Sequence, residues 1–406
     1  MPVRLLVPGT KMICQVYQAV GLVHLPDFTR HTPGKKEYAM MVPPQPPKEQ
    51  DLIERNIEGH KHGFETVNKL IGTEKGKTCV FVLSGPSTAG INERISEWRA
   101  EFPDLKVACL NGALKAVDNA DYYICFEMCA KPKWFDEVDT SKTTLITSPC
   151  AHSSLSEKWK GVNQYFAYLG DMHQEDDPRW VDLPLFVSGL ATIVTAIQAL
   201  HLMGFTNVLL VGADFSIANP RMLEADPRLV ADGIFYWDGT KYSIKNENTR
   251  DSYYNGQSMT MAMSVHAGDK ELDHFERIGS AAMAIAKERQ ALAEALSRGE
   301  IDNAKATSEN ARLEEAYQAL CKENELLIDL FLCGTNEMLL RHADATKCVM
   351  QIAERGGMKV WNCSGRGVLD YNLANLEDKL TEILGELPDG ITYQETQISG
   401  AVPATV

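Results

Sequence analysis

The chain lacks the sequence signatures of the best-known nucleotide-binding loops. No Gly-Lys-Ser or Gly-Lys-Thr follows the glycine turn at Ser84–Ser87, and no G-x-G-x-x-G is present, which excludes a P-loop at this turn and the dinucleotide fingerprint. Positive charge is also scarce, because the net charge is −15. This balance argues against coating of nucleic acid and against binding to an anionic membrane surface.

Paired cysteines are missing as well. The ten cysteines are scattered singly, and no C-x-x-C pair occurs, so neither a zinc ribbon nor a dithiol redox motif is predicted. Together with the lack of a recognisable signal peptide, this pattern predicts a protein of the reducing cytoplasm. Leu183–Ala213 lacks acidic residues, lysine and arginine, but Pro184, Gly189 and Gly204 interrupt it. We interpret it as a buried helix and strand and not as a membrane span.

The segment Lys77–Asn92 is the most informative stretch. Cys79–Leu83 is a continuous apolar run, which is typical of a strand buried on both faces of a parallel sheet. The polar turn Ser84-Gly85-Pro86-Ser87 follows it, and apolar residues at helical spacing come next. A helix that begins at Ser87 or Thr88 would direct free N–H groups towards an anion, usually a phosphate. A purely structural βα turn is the alternative.

Further apolar runs predict more strands of the same sheet, at residues 106–110, 122–126, 143–147, 207–211 and 358–361. Helices are predicted at 48–71, from Ser188-Gly189 to about Met203, at 336–356 and at 373–384. The carboxyl ends of parallel strands share one sheet edge, where open α/β folds bind ligands. We therefore expect the polar groups after these strands to lie along that edge, among them Asn111, Gly112, Glu127, Gly212 and Asp214.

The fold class that we predict is α/β, with a Rossmann-like, mostly parallel sheet that has helices on both faces. Residues 1–47 form an N-terminal extension, 48–275 the nucleotide-binding domain with a loop insertion, 276–334 a helical insertion, 335–387 the return to the sheet and 388–406 a tail. The insertion is rich in Ala, Glu and Leu, and its apolar residues between 313 and 331 recur at coiled-coil spacing. It predicts either an intramolecular hairpin or an arm for a homodimer.

In order and spacing, these motifs resemble the MptE-like family, which is named for the archaeal 6-hydroxymethylpterin diphosphokinase. The residues that carry the resemblance are Asn56, Ser84–Ser87, Asn111, Ser188-Gly189, Leu202–Phe205, Gly212–Phe215, Thr335-Asn336 and Trp361–Gly365. The turn Gly85-Pro86-Ser87 and the strand ending Gly212-Ala213-Asp214-Phe215 are also similar to those of bacterial sialyltransferases and of motility-associated flagellin glycosyltransferases.

The resemblance implies a domain that binds ATP or a CMP-sugar. Ser84, Gly85, Pro86 and Ser87 would contact phosphates and Asn111 the nucleoside, while Gly112, Ser188, Gly189 and Gly212 would lie nearby. Asn362, Ser364 and Gly365 would close the pocket. Asp214 would bind a metal or the acceptor. Glu127 stands where the family pattern has an aspartate, and the helical block between Asp214 and the last strand is an added feature.

Three functions follow as hypotheses. The first is Mg²⁺-dependent transfer of a diphosphoryl group from ATP to a small, pterin-like hydroxymethyl compound, with Asp214 and Glu127 as metal ligands. The second is transfer of a sugar from a CMP-activated or other nucleotide-sugar, with His266 as the base and Tyr242 as a donor to the departing phosphate. The third is a nucleotide-binding or assembly protein without catalysis. In each, the partners are a nucleotide and a small acceptor, without nucleic acid or membrane.

Overall fold

The structure is a computed structural model of the chain. It describes residues 65–127, 134–149, 151–152, 154–161, 163–169, 185–186, 191–217, 234–237, 242–245, 260–266 and 269–385. The predicted N-terminal extension, the tail and most of the predicted helix at 48–71 lie outside these ranges. The chain forms two compact units, which are residues 65–260 with 334–385 and residues 261–333, within the described ranges. The sequence had predicted a helical insertion at 276–334, which begins later than this second unit.

The described strands are β1 (Thr78–Val82), β2 (Lys106–Leu110), β3 (Tyr122–Ile124), β4 (Thr144–Thr147), β5 (Gln164–Phe166), β6 (Tyr168–Leu169), β7 (Leu185–Phe186), β8 (Asn207–Val211), β9 (Ile234–Trp237), β10 (Tyr242–Lys245), β11 (Thr260–Met263), β12 (Leu332–Thr335) and β13 (Lys359–Asn362). The described α-helices are α1 (Ile91–Glu101), α2 (Ser154–Lys158), α3 (Thr192–Met203), α4 (Asp269–Ser297), α5 (Asn303–Phe331), α6 (Glu337–Arg355) and α7 (Leu376–Leu384).

Seven strands form one parallel sheet in the order β13-β8-β1-β2-β3-β4-β5. The central strand β1 is buried along its whole length, and β8 and β2 are buried except at their first residues. Continuous burial is why these strands are unbroken runs of Val, Leu and Cys. Helices surround the sheet, with α6 packed against α3 and β13. The predicted α/β, Rossmann-like class is confirmed.

The strand order reverses direction at β1. From β1 the chain proceeds outward through β2, β3, β4 and β5, and it then returns to place β8 on the other side of β1. In open α/β sheets the crevice at such a reversal, at the carboxyl ends of the strands, is where ligands bind. The turns after β1 and β8 are therefore the first place to look for a functional site.

Two details of the helix predictions were wrong, the start of one helix and the end of another. The helix after β1 does not begin at Ser87 or Thr88, since Pro86–Thr88 forms a short 3₁₀ turn and α1 begins at Ile91. Its N-cap is Gly90, whose left-handed φ of 69° separates the turn from the helix. The end of the predicted 48–71 helix is a 3₁₀ turn at Val67–Leu70, with Thr66 as its cap.

The second unit is built on a helical hairpin of α4 and α5, which pack against each other. Gly299 lies in the turn between the two helices, with a left-handed φ of 71°. Arg289 pairs with Glu314, and Arg312 pairs with Glu288 at 3.0 Å. The hairpin is thus an intramolecular pairing, while dimerisation through residues 279–332 stays a prediction. Among the described residues, no helix is long and apolar enough to cross a membrane.

Candidate functional site

The turn after β1 has its backbone N–H groups engaged within the protein. The Gly85 amide donates to the Gly212 carbonyl at 3.0 Å, and the Thr88 amide donates to the Gly85 carbonyl at 3.2 Å. The Ser87 amide donates to Asp214 Oδ2 at 2.7 Å, and Pro86 has no N–H to offer. The amides of Gly85, Ser87 and Thr88 therefore bind protein acceptors and are not free for an anion, contrary to the prediction.

Asp214 is the acceptor that occupies this turn. Its other oxygen, Oδ1, accepts from the Ser87 hydroxyl, and the residue is fully buried. Burial raises the pKa of the Asp214 carboxyl to about 6, while the Ser87 hydrogen bonds and the nearby Arg366 charge oppose that rise. Desolvation of the carboxylate is thus larger than the compensation from its partners.

The loop after β13 surrounds Asp214 from the other side. The Val368 amide donates to the Asp214 carbonyl at 2.9 Å, and Ser364 Oγ accepts from the Ala213 amide at 2.8 Å. Asn362 stabilises this loop internally, since its Nδ2 donates to the Leu369 carbonyl at 2.8 Å and its Oδ1 accepts from the Ser364 amide at 3.1 Å. In this structure, then, Asn362 and Ser364 make contacts within the protein.

Glycines make this close packing of three loops feasible. A Cβ on Gly85 would lie 2.9 Å from Asp214 Cγ, and a Cβ on Gly367 would lie 2.8 Å from the Asp214 carbonyl carbon. Gly212 has a φ of 80°, and a Cβ there would lie 2.6 Å from Thr88 Cγ2. Gly365, with a φ of 69°, has open space beside it. Three of the four glycines are thus required by contact with a neighbouring loop, and Gly365 by its backbone conformation.

A second polar cluster follows β2 and β3. Glu127 Oε1 accepts from Asn111 Nδ2 at 3.2 Å and from Thr192 Oγ1 at 2.8 Å. Asn111 has a φ of 50°, a left-handed value that asparagine tolerates better than most residues. Nearby, the exposed Ser84 donates its hydroxyl to the Leu110 carbonyl at 3.2 Å. Glu127, Asn111 and Thr192 are each only partly buried, and we call these three the Glu127 cluster.

The Glu127 cluster is built from three separate elements, which are the ends of β2 and β3 and the first turn of α3. The Asn111 Oδ1 atom is buried and makes no hydrogen bond within the structure. Gly112, the next residue, is buried at the start of the 3₁₀ turn that follows β2. A partly exposed carboxylate held by an amide and a hydroxyl is suited to accept hydrogen bonds from hydroxyl or amino groups.

His152 borders the same cluster. Its backbone amide donates to the Glu127 carbonyl at 3.1 Å, and its Nδ1 accepts from the Ser154 amide at 3.2 Å. Nδ1 also lies 2.8 Å from Ser154 Oγ, and because it accepts from the amide, the ring N–H is on Nε2. His152 thereby adds a side-chain N–H donor to this part of the chain.

The two predicted metal ligands are held by different residues. Glu127 follows β3 and accepts from Asn111 and Thr192, whereas Asp214 follows β8 and has both oxygens bound by Ser87. Mg²⁺ usually keeps several of its water molecules, which does not suit the fully buried Asp214 carboxylate. No group of three or more His, Cys, Asp or Glu residues in the described part of the chain is arranged to hold a metal ion.

The roles of four other predicted site residues stay predictions. Ser188 and Gly189 lie outside the described residues. Tyr242 is placed by its backbone only, opposite Trp237 in the hairpin of β9 and β10. His266 belongs to the second unit, where its amide donates to Ser264 Oγ at 3.3 Å and burial lowers the pKa of its imidazole.

Sequence reasoning missed three residues of these clusters. Thr192 is the first residue of α3, and a hydroxyl at a helix start after a glycine-containing segment was a usable signal. His152 comes shortly after β4, where a scan of all strand ends finds it. Arg366 lies between two glycines in the loop after β13, and its near-complete burial beside Asp214 has no signal in the sequence.

Comparison with known proteins gives one solved structure to report. It is the MAf glycosyltransferase from Magnetospirillum magneticum AMB-1, with 20% sequence identity and a TM-score of 0.33. The similarity covers 43% of this chain and 28% of that chain. No family model and no curated protein matches the chain. Membership of the MptE-like family is accordingly not confirmed, and we base no functional argument on a structural likeness at this level.

Proposed function

We propose that the protein is a nucleotide-dependent transferase, and that it transfers a sugar from a nucleotide-sugar donor. The observation that carries the proposal is the Glu127 cluster at the carboxyl edge of a parallel sheet. In this cluster, an amide and a hydroxyl from two other elements both donate to one oxygen of the Glu127 carboxylate. Binding sites in open α/β folds occupy this edge.

The chemistry of the cluster favours a ligand that is rich in hydroxyl groups. Glu127 offers acceptors only, so ribose or sugar hydroxyls suit it, whereas a bare phosphate would be repelled. His152, whose backbone amide donates to the Glu127 carbonyl, carries a ring N–H that could bind a phosphate oxygen. A nucleotide-sugar combines two sugars with a phosphate diester or diphosphate, and so it contains both kinds of group that these residues could bind.

The burial of Asp214 disfavours the diphosphokinase hypothesis. Diphosphoryl transfer depends on divalent cations that neutralise the phosphates of ATP. Asp214 is fully buried and Ser87 binds both of its oxygens, so it would not join Glu127 in a magnesium site that keeps water molecules. Mg²⁺-dependent transfer from ATP would therefore need ligands other than this pair.

Thermal unfolding with ligands tests the proposal. We expect CMP or CMP-sugars to raise the midpoint of unfolding without Mg²⁺, because a ligand that binds only the native state stabilises it. A shift with ATP that requires Mg²⁺ would favour diphosphoryl transfer instead. If no nucleotide, including UMP and GMP, shifts the midpoint, the transferase proposal is wrong and a non-catalytic assembly protein is favoured.

A matched pair of asparagine variants locates the binding site. Asn111→Gly removes the side-chain amide and relieves the left-handed backbone, so the fold should persist while the nucleotide Kd rises by about tenfold. Asn119→Gly is the control, since Asn119 also has a positive φ (55°) but is exposed and outside the cluster. Equal affinity in the two variants would remove Asn111 from the site. Isothermal calorimetry measures both.

A further inference from the structure

The contact between Asp214 and Ser87 joins the loops after two neighbouring strands, β8 and β1, and the two residues are 127 positions apart in sequence. Both donors of Ser87, the amide and the hydroxyl, point at the two oxygens of one carboxylate. In a phosphate-binding turn these are the donors that hold the phosphate. Here the acceptor is a side chain from the strand on the far side of the reversal in strand order.

The surroundings leave no space for another anion or for a hydrated cation. Asp214 is 0% exposed, and Gly85 and Gly367 pack against its side chain and its backbone so closely that neither site accommodates a Cβ. The nearly buried Arg366 supplies positive charge to the carboxylate. Mg²⁺ usually keeps several of its water molecules, which this packing excludes.

We propose that Asp214 is an internal anion that fills the anion-binding position of the β1 turn. In this role it is a positioning residue that fixes the conformation of Ser84–Ser87, and it contacts neither a metal ion nor the substrate. The part of this inference that concerns ligand binding rests on the nucleotide-binding function proposed above. A phosphate at the Ser87 amide would meet the Asp214 carboxylate, so the phosphate of a donor binds at other groups.

Two substitutions of Asp214 separate this role from a metal-binding role. Asp214→Asn keeps the shape and both contacts, since its Oδ1 accepts from the Ser87 amide and its Nδ2 donates to Ser87 Oγ. Asp214→Ala removes both contacts. We expect the Asn variant to bind CMP within about threefold of the unaltered protein and the Ala variant to bind at least about tenfold more weakly.

Amide hydrogen exchange gives a readout that needs no ligand. In the full chain, the peptide that contains Ser87 should be protected in the Asn variant as in the unaltered protein, and it should exchange faster in the Ala variant. If Asp214→Ala does not fold, Ser87→Ala serves instead, because it keeps the amide contact and loses only the hydroxyl contact. An intermediate loss of protection is then expected.

The outcomes distinguish this inference from the proposed function. If the unaltered protein binds none of the nucleotides, the proposed function fails, while the exchange experiment still tests the role of Asp214. If the Asn variant loses protection as fully as the Ala variant, the internal-anion role is overturned. The role is also overturned if Asp214→Asn keeps protection at Ser87 but abolishes a Mg²⁺-dependent ATP shift, since that pattern indicates a metal ligand.

Discussion

Two carboxylates follow strands of the same sheet, and they differ in burial and in their hydrogen-bond partners. Asp214, after β8, is fully buried and has both oxygens bound by Ser87. Glu127, after β3, is partly exposed, and one of its oxygens accepts from two different elements. The first carboxylate is enclosed by three loops, whereas the second lies in a polar cluster that solvent reaches.

The comparison teaches that a carboxylate at a strand end is not by itself a ligand site. Asp214 lies at the reversal of strand order, the position that the rule for open α/β sheets selects. It nevertheless binds residues of the protein itself, since it contacts Ser87 after β1 and Val368 after β13. Glu127 lies two strands away from β1, and it has the exposure and the partners of a binding residue.

The largest effect should come from filling the space beside Asp214. Gly85 has an ordinary φ of −70°, so Gly85→Ala adds no backbone strain, but the new Cβ would collide with the Gly212 carbonyl and with Asp214 Cγ. Because a backbone carbonyl cannot rotate away, we expect the free energy of unfolding to fall by more than about 3 kcal/mol. Urea denaturation measures the change.

Gly365→Ala is the control for this variant. Gly365 lies in the loop after β13 with a φ of 69°, yet a Cβ there would have open space. The free energy of unfolding should fall by about 1 kcal/mol, because alanine disfavours a left-handed backbone. Equal destabilisation by the two alanines would show that the packing around Asp214 is looser than the structure indicates, and the contrast between the two carboxylates would be lost.

The next effect is a pH dependence of stability that comes from the buried Asp214 carboxyl. Its pKa is raised from the ordinary 3.8 to about 6, so the folded state holds this proton more tightly than the unfolded state does. The resulting stabilisation is complete below about pH 4 and is lost as the pH rises through about 6. Its size is about 3 kcal/mol at most, from the shift in pKa.

Asp214→Asn should therefore lose less stability than the unaltered protein between pH 4 and pH 7. Unfolding midpoints in urea across this range measure the difference. Asp104→Asn is the control, because Asp104 is exposed and the substitution changes the net charge by the same amount. If Asp104→Asn reduces the change of stability with pH equally, this pH dependence comes from the overall charge and not from the buried carboxyl.

The smallest effect on stability is expected at Glu127. Glu127→Gln keeps Oε1 as an acceptor for Asn111 and Thr192, and the site is partly exposed, so the free energy of unfolding should change by less than about 0.5 kcal/mol. Nucleotide affinity should nonetheless fall, because the charge of the acceptor is lost. Unchanged affinity with unchanged stability would assign Glu127 no role in binding.

The strands were predictable from sequence because both faces of a parallel sheet are buried. β2 and β8 have the predicted bounds, since Lys106–Leu110 and Asn207–Val211 are apolar runs that end at polar residues. That Ser87 and Asp214 lie at the same edge also follows from parallel strands, whereas their direct contact was not predicted. The helix at 67–70 was not predictable in the same way, because short 3₁₀ turns depend on local capping by residues such as Thr66.

The partner of Ser87 was not predictable, for a physical reason. Serine at a turn bonds equally well to water, to a phosphate or to a carboxylate, and the choice depends on how closely neighbouring loops approach. That approach is permitted by Gly85, Gly212 and Gly367, whose contacts arise only in the folded chain. Sequence patterns identify such glycines as turn residues but do not show what lies opposite them.

The position of β13 has a consequence for how the molecule forms during synthesis. β13 pairs with β8 across a separation that includes the whole α4–α5 hairpin, and its loop supplies the last cover over Asp214. A nascent chain that has emerged from the ribosome only as far as β8 contains Ser87 and Asp214 but not the loop after β13. We therefore expect the enclosure of Asp214 to be completed only after Val368, near the end of the first unit, has been made.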